Sequence, residues 1–177
     1  MSTQCPFCTI ATSSPPTPPT TYLHTPNPDQ QAHLILSTQH VLAFLDIMPL
    51  TRGHILVVPR THYEKLSDLD GTVSREIGQW LPVLSRVLMR TLFGDGTDWN
   101  WNVVQNNGVG AAQQVPHAHF HIIPRPPLGQ VPDRGRVSFV MFGRGQREEL
   151  DEEEGEMLAG LLREELAREV GRIDSKL

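Results

Sequence analysis

The fold is decided by one stretch, Val115-Pro116-His117-Ala118-His119-Phe120-His121-Ile122-Ile123-Pro124-Arg125. Histidine alternates with apolar residues here, so that three histidines stand two positions apart. A strand sends alternate side chains to opposite faces, whereas a helix would scatter the histidines around its axis. The pattern therefore predicts a strand with three imidazoles on one face and apolar side chains in the core. Three groups that titrate near neutral pH on one rigid face indicate chemistry.

The composition bounds the class of protein. A length of 177 residues predicts one domain with a substantial core. The net charge of -5 argues against a long nucleic acid as partner, although a small anionic ligand needs only a local cluster of donors. No apolar run approaches a membrane span, and the first residues lack the basic and apolar regions of a signal peptide. We therefore expect a cytoplasmic protein without a membrane partner, with the nucleus left open as a second location.

Apolar runs predict the first part of a sheet at residues 33–37, 40–47 and 54–59, with a turn joining the last two as an antiparallel pair. From residue 67 the apolar period changes to three and four residues, which predicts a helix. Pro82 should kink or divide this helix, and Gly94-Asp95-Gly96 should end it. The predicted inner face of the helix comprises Ile77, Trp80, Leu81, Leu84, Leu88 and Leu92.

The second half of the chain continues the α+β pattern. Residues 100–105 predict a strand, Asn106-Asn107-Gly108 a turn, and the histidine stretch the next strand, ended by its prolines. Residues 137–142 predict one more strand. Residues 148–172 predict an acidic amphipathic helix with a solvated acidic face and an inner face of Leu158, Leu161, Leu162, Leu166 and Val170. The order of elements predicts an antiparallel sheet covered by a helix.

Four segments follow from this organisation. Residues 1–10 carry Cys5 and Cys8, whose two-residue spacing indicates metal or redox chemistry in a reducing compartment. Residues 11–32 are rich in Pro, Ser and Thr and predict an exposed loop that cannot sustain a helix. Residues 33–127 form the core domain, and residues 128–177 a C-terminal extension with the amphipathic helix.

Three interpretations of His117, His119 and His121 compete on the residues alone. They could be hydrogen-bonded polar residues of a strand. They could form a three-histidine metal centre, although the outer pair is about 13 Å apart along a straight strand. They could perform covalent catalysis, in which the central His119 attacks phosphorus while its neighbours bind phosphate oxygens or protonate the leaving group. Neutral amides just upstream could then hold the phosphate, from Asn106, Gln113 and Gln114.

The stretch His-Ala-His-Phe-His-Ile-Ile resembles the His-φ-His-φ-His-φ-φ signature of the histidine triad family, in which φ is apolar. Residues 43–47, residues 53–62, and Asn106-Asn107-Gly108 followed by Gln113 are similar to the other motifs of the family in the same order. The resemblance covers residues 1–10 and 33–125. It is strongest to the Hint-like branch, including its fungal-type members, and weaker to Fhit.

The resemblance implies an α+β fold whose half-barrel sheets join in a homodimer, with a nucleotide site beside the triad. It also implies hydrolysis or transfer at the α-phosphate of a purine nucleotide such as AMP or an AMP adduct. His119 would be the nucleotidylated residue, with His121 and His54 as its catalytic neighbours. The implied nucleotide contacts are Asp46 to the ribose hydroxyls, Ile47 to the nucleoside, and a phosphate-facing loop with Asn106, Ala112, Gln113 and Gln114.

Two positions depart from the family pattern. Ala112 stands where the family usually has glycine, and alanine is unfavourable if that position needs a positive φ. Gln114 stands where a serine or threonine usually reaches the phosphate or the leaving group. We expect a nucleoside phosphoramidase-like enzyme. The alternatives are a dinucleoside polyphosphate hydrolase, or a nucleotide-binding or partner-binding protein with little turnover, which the two departures favour slightly.

The cysteine pair needs two further ligands for a tetrahedral zinc site, and His62 and His117 are the candidates. Zinc-bearing members of the family are similar in having a Cys-x-x-Cys near the N-terminus, a histidine after Pro-Lys/Arg-Thr, and the first triad histidine. The resemblance therefore implies a structural zinc held by Cys5, Cys8, His62 and His117. A redox Cys-x-x-Cys would lack the thioredoxin-like context expected for it.

Overall fold

The computed structural model describes residues 5–19, 32–96, 98–125 and 147–175. Three helices and five strands follow one another in these ranges: α1 (Pro6–Ser13), β1 (Leu34–Ser37), β2 (Val41–Leu45), β3 (Ile55–Pro59), α2 (Gly71–Phe93), β4 (Asn100–Gln105), β5 (Phe120–Arg125) and α3 (Glu152–Asp174). The strands form one antiparallel sheet in the order β1-β2-β3-β5-β4. The predicted α+β class, with a helix on the sheet and a further C-terminal helix, is confirmed. The strand predicted at residues 137–142 lies outside the described residues.

The sheet is covered on both faces, which explains why β1, β2 and β3 are buried along their whole length. Val41, Ala43 and Leu45 of β2 pack in the larger core with α2 and α3. The alternate residues Leu42 and Phe44 pack in a smaller cluster with α1. Burial on both faces produces continuous apolar runs instead of strict alternation. α1 thus brings the cysteine pair onto the face opposite the two long helices.

α2 begins and ends at clear signals. The Asp70 carboxylate caps its first turn by accepting from the backbone N–H groups of Thr72 and Val73, and Gly94 ends it with φ 73°. The helix therefore starts four residues after the predicted position, residue 67. It is continuous from Gly71 to Phe93, so the predicted division at Pro82 is wrong. Ile77, Trp80, Leu84 and Leu88 are buried as predicted.

α3 packs against α2 and β1. Leu158, Leu162 and Leu166 are buried as predicted, but Leu161 is 45% exposed and does not face the core. The acidic residues of this helix are also not uniformly solvated. Glu165 and Glu169 are buried, and Glu169 pairs with Arg86 of α2 across the helix interface, with Nε and Oε1 2.6 Å apart. This pairing compensates the burial of the carboxylate.

The segment after the cysteine pair is helical for longer than its composition predicts. α1 continues through Ser13, although residues 11–32 were expected to lack helix. Pro6 lies at the first turn, where it costs no hydrogen bond, and the Thr12 hydroxyl donates back to the Cys8 carbonyl at 2.9 Å. The helix end is held to the sheet by Arg60, which donates to the Ala11 and Ser14 carbonyls at 2.6 and 2.8 Å.

The histidine stretch is only partly a regular strand. β5 begins at Phe120, so His117 and His119 precede it and His121 lies within it. Pro124 does not end the strand, which continues through Arg125 against the edge strand β4. Leu56 of β3 pairs with His121, so the sheet itself brings the start of β3 beside the triad. In the part of the chain that the structure describes, no helix has the length and apolar character of a membrane span.

Candidate active site and metal centre

The three triad histidines belong to two different clusters. His117 is fully buried, and its Nδ1 lies 3.4 Å from the Cys5 sulfur and 3.7 Å from the Cys8 sulfur. His62, which follows β3, places its Nδ1 3.3 Å from the Cys8 sulfur. The four potential ligand atoms of these residues all lie within 4.8 Å of one another. The predicted set Cys5, Cys8, His62 and His117 is therefore brought together.

This cluster fits a tetrahedral zinc ion. Bond lengths of about 2.3 Å to sulfur and 2.05 Å to nitrogen place the two kinds of ligand atom about 3.6 Å apart. The sulfur–nitrogen distances of 3.3 to 3.7 Å agree with that value. The His117 Nε2–H donates to the Pro59 carbonyl at 2.9 Å, which leaves the Nδ1 lone pair for a metal. Burial and the adjacent Cys5 raise the pKa of Cys8 to about 11, so a cation is needed to stabilise the thiolate.

His119 lies on the other side of His117 in a defined orientation. Its Nδ1–H donates to the backbone carbonyl of His117 at 2.6 Å. This bond fixes the tautomer, because the remaining nitrogen, Nε2, then carries the lone pair. Burial lowers the pKa of His119 below its ordinary value of 6.5, which keeps the ring neutral at pH 7. The Phe7 ring of α1 packs against it in an edge-to-face arrangement, with ring centroids 5.3 Å apart. His119 is thus a neutral, oriented imidazole.

His121 and His54 form a hydrogen-bonded pair beside His119. The two rings are joined between His54 Nε2 and His121 Nδ1 at 2.9 Å. The Leu50 backbone N–H donates to His54 Nδ1 at 3.2 Å, so His54 Nε2 carries the proton and donates it to His121 Nδ1. In this tautomer His121 presents an Nε2–H donor. Burial lowers the pKa of His54 to about 2 and that of His121 to about 4, so both rings are neutral near pH 7.

Asp46 and Ile47 lie directly after β2 at the same end of the sheet. Asp46 Oδ1 accepts from the Met48 backbone N–H at 2.9 Å, and Asp46 Oδ2 lies 3.3 Å from His54 Nδ1. Burial raises the pKa of Asp46, and the Met48 N–H and the charge of Arg147 oppose that rise. Ile47 follows this carboxylate directly and is 55% exposed.

The predicted phosphate-facing loop follows β4. Ala112 has φ 63° and ψ 25°, and it is the single non-glycine residue with positive φ among those the structure describes. Ala112 therefore has the positive φ that makes alanine unfavourable at this position. The Gln113 side chain holds the loop, because Oε1 accepts from the Gly108 N–H at 2.5 Å and Nε2 donates to the Glu64 carbonyl at 2.7 Å. A contact of this amide with a ligand stays a prediction, as does one from half-buried Asn106 or exposed Gln114.

Two side chains at the site were missed by sequence reasoning. Phe7 lies in the Cys-x-x-Cys motif, which was interpreted as a signal of metal or redox chemistry, while the ring also contacts His119. Arg147 lies in the C-terminal extension, and its Nη1 donates to the Met48 carbonyl at 3.2 Å. No spacing rule connects an arginine 99 positions away with the turn after β2. Only the tertiary structure brings it to the Met48 carbonyl, two residues after Asp46.

Comparison with known proteins agrees with these features. The HIT domain matches residues 27–128. An uncharacterized HIT-like protein of Methanocaldococcus jannaschii is 38% identical over 126 residues, which cover 71% of this chain and 88% of that protein. Adenosine 5'-monophosphoramidase hnt1 of Schizosaccharomyces pombe is 45% identical over 85 residues, which cover 48% of this chain and 58% of the fission-yeast protein.

Solved structures extend the similarity to the whole fold. A hypothetical histidine triad nucleotide-binding protein of Sulfolobus tokodaii superposes with a TM-score of 0.68 at 25% identity, covering 93% of each chain. A Zn-bound histidine triad family protein of Mycobacterium smegmatis superposes with a TM-score of 0.66 at 27% identity, covering 100% of each chain. Because the domain match spans more than half of the chain and includes all three triad histidines, the chain belongs to the histidine triad (HIT) family.

Proposed function

We propose that this protein is a nucleotide hydrolase or transferase of the Hint-like, fungal-type branch. It would cleave the α-phosphate bond of nucleoside 5'-monophosphate adducts of the adenosine phosphoramidate type. The observation that carries the proposal is the bond from His119 Nδ1–H to the His117 carbonyl, at 2.6 Å. It presents a neutral Nε2 lone pair, which is what nucleophilic attack on phosphorus requires. The phosphoramidase named among the relatives supports the substrate class.

The proposed reaction has two steps. In the first, His119 Nε2 forms a bond to the α-phosphorus while the bond from phosphorus to the leaving nitrogen breaks. The leaving nitrogen, protonated in the bound phosphoramidate, departs as the amine, and the His121 Nε2–H donates a hydrogen bond to a phosphate oxygen. In the second step, a water oxygen attacks the phosphorus, the phosphorus–His119 bond breaks, and the water proton passes to a phosphate oxygen of the released nucleotide. His54 holds His121 in the required tautomer through the 2.9 Å bond between the rings.

The proposed nucleotide contacts use the residues around the histidine pair and the loop after β4. Asp46 would accept from the two ribose hydroxyls, and exposed Ile47 would pack on the nucleoside. The loop after β4 would face the phosphate with Asn106, Ala112, Gln113 and Gln114. His119 and His121 would complete the site. The Gln113 amide is engaged by Gly108 and Glu64, so its part in this proposal is to hold the loop in place.

We further propose a structural zinc bound by Cys5, Cys8, His62 and His117. Bound zinc would supply a cross-link between the start of α1, the segment after β3 and the triad stretch. A homodimer is also proposed, because the edge strand β4 exposes two large apolar side chains, Trp101 at 41% and Val103 at 46%. An exposed apolar edge strand is suited to pairing with a second copy. A cytoplasmic, or also nuclear, location stays a prediction.

A kinetic comparison tests the proposed function. The zinc-loaded protein is assayed with adenosine phosphoramidate and, side by side, with a diadenosine polyphosphate. We expect phosphoramidate turnover in the wild type and in His40→Ala, which removes a histidine between β1 and β2, but loss by a factor of about 10⁴ or more in His119→Ala. Retained turnover in His119→Ala would refute the nucleophile. A higher kcat/KM on the polyphosphate would instead favour the alternative of a dinucleoside polyphosphate hydrolase.

A binding protein with little turnover is the second candidate. The left-handed Ala112 and the exposed Gln114 favour it, since both depart from the family pattern at the phosphate-facing loop. It predicts AMP binding by the wild type with phosphoramidate turnover that does not exceed that of His119→Ala.

A further inference from the structure

The two cysteines of the candidate metal centre are also placed for a disulfide. Cys5 is the N-cap of α1, and Cys8 lies in the first turn of that helix. Residues three apart on a helix have Cα atoms about 5 Å apart, which is within the range that a disulfide spans. Both residues are free thiols, and their sulfur atoms lie within 4.8 Å of each other. They are the only cysteines of the chain, so each is the other's sole partner within it.

The metal centre is open to solvent on one side. Cys5 is buried, with 7% of its surface exposed, whereas Cys8 is half-buried and His62 beside it is exposed. A zinc-bound cysteine is a thiolate, which is the form that reacts with an oxidant. A small oxidant therefore reaches the Cys8 sulfur first, and Cys5 lies next to it. An accessible sulfur beside a second, resolving cysteine is typical of redox sensors in reducing compartments.

The cysteine pair is linked to the candidate nucleophile by direct contacts. Phe7, which lies between the two cysteines in α1, packs edge-to-face on His117 and His119, with ring centroids 5.7 and 5.3 Å apart. The ring of His117 contacts Cys5, while its backbone carbonyl accepts from the His119 Nδ1–H at 2.6 Å. A rearrangement of the cysteines therefore moves two groups that orient His119.

We propose that Cys5 and Cys8 are a redox modification site, at which a peroxide converts the two thiolates into a disulfide, removes two zinc ligands and thereby slows turnover at His119. The link to turnover rests on the proposed function. After oxidation only His62 and His117 would remain as ligands. A structural zinc site needs four, so the oxidised chain cannot hold the ion.

The oxidation proceeds in two displacements. The Cys8 thiolate attacks one peroxide oxygen and the oxygen–oxygen bond breaks, which gives a sulfenic acid and a hydroxide. The Cys5 thiolate then attacks the Cys8 sulfur and the sulfur–oxygen bond breaks, which gives the disulfide and a second hydroxide. The two sulfurs together lose two electrons, the peroxide gains them, and two protons from solvent convert the hydroxides to water.

The test treats the zinc-loaded full chain with graded amounts of hydrogen peroxide. Three quantities are measured on the same samples: zinc released to a chromogenic chelator, the mass of the peptide containing residues 5–8, and turnover of adenosine phosphoramidate. We expect release of about one zinc per chain, a peptide lighter by two hydrogen atoms, and turnover reduced about 10- to 100-fold. A thiol reductant with added zinc should reverse all three changes.

Cys8→His provides the matched control, because imidazole is a zinc ligand that cannot form a disulfide. This variant should keep its zinc, and its own starting turnover, at the peroxide concentration that strips the wild type. Zinc that stays bound to the wild type, or a peptide that only gains oxygen atoms, would overturn the modification site. Zinc release with undiminished turnover would overturn the link to His119. A wild type without turnover before treatment refutes the proposed function, while zinc release and the peptide mass still decide the modification site.

Discussion

Replacing Ala112 by glycine should stabilise the protein, although glycine is ordinarily the more destabilising residue. Ala112 has φ 63°, a left-handed conformation that costs an L-residue about 1 to 2 kcal/mol and costs glycine nothing. Glycine also loses about 0.5 to 1 kcal/mol through its greater freedom in the unfolded chain. The two effects oppose each other, so we expect Ala112→Gly to raise the free energy of unfolding by about 0.5 kcal/mol.

Ala111 provides a matched control in the same turn. Its side chain is exposed like that of Ala112, but its φ is not positive. The two residues also make similar backbone hydrogen bonds: the Ala111 N–H donates to the Gly108 carbonyl and the Ala112 N–H to the Val109 carbonyl, both at 3.0 Å. Ala111→Gly therefore carries the entropic loss without the relief of strain, and should destabilise by about 0.5 to 1 kcal/mol.

The measurement is urea unfolding of the wild type and both variants, with zinc in excess. The difference between the two variants should be about 1 to 2 kcal/mol, which is the cost of the left-handed conformation alone. Equal destabilisation by both substitutions would contradict the assignment of the strain to Ala112.

Three further predictions follow from the metal centre, the buried histidines and the edge strand. Removing zinc with a chelator should lower the Tm of the wild type but not that of Cys5→Ser, and less than about 0.2 zinc per chain after chelator-free purification would refute the metal site. Because the pKa of His54 is about 2 in the fold and 6.5 when unfolded, the unfolded state binds more protons below pH 6.5 and stability falls as the pH falls. Between pH 7.5 and 5.5 this effect lowers the free energy of unfolding by about 1.4 kcal/mol. Urea unfolding of His54→Gln at the two pH values should lack that part of the decrease, and an unchanged pH dependence would contradict the burial of a neutral His54 ring. Trp101→Glu should convert the dimer to monomer in sedimentation velocity, whereas a monomeric wild type would remove the proposed edge-strand interface.

The arrangement of strands was predictable because apolar runs bounded by turns are a local signal. Residues 54–59 and 100–105 predicted β3 and β4 almost to the residue. Helix bounds were less accurate, since the start of α2 depends on the cap at Asp70 and not on the apolar period. The continuity of α2 through Pro82 was also not predictable from a local rule, because packing on the sheet can outweigh one lost hydrogen bond.

The residues of the two clusters were predictable, but their orientation was not. The two-residue spacing of the histidines and the resemblance to the family indicated His54, His119 and His121. The tautomer of His54, however, depends on the Leu50 N–H, and that of His119 depends on the His117 carbonyl. Such backbone partners have no residue signature. Likewise, Gln113 could be assigned to the loop from its position, but its two bonds to Gly108 and Glu64 required the structure.

The contacts of the C-terminal extension with the rest of the chain were the least predictable from the sequence. An acidic helix usually has a solvated face, and Glu169 is buried because Arg86 of α2 meets it across the interface. Arg147 has no motif, and its position depends on the docking of Leu150 on Ile47. Contacts of this kind join residues about 100 positions apart, and single-sequence patterns do not record them.

The central claim is that His119 carries the nucleotide in a covalent intermediate. The direct measurement is rapid acid-free quenching of the zinc-loaded protein with an adenosine phosphoramidate, followed by intact-mass and peptide mass spectrometry. The proposed mechanism predicts an added adenylyl group on the peptide that contains residues 117–121, assigned by fragmentation to His119 and absent in His119→Ala. Turnover without any adduct in the wild type, or an adduct on another histidine that persists in His119→Ala, would contradict it.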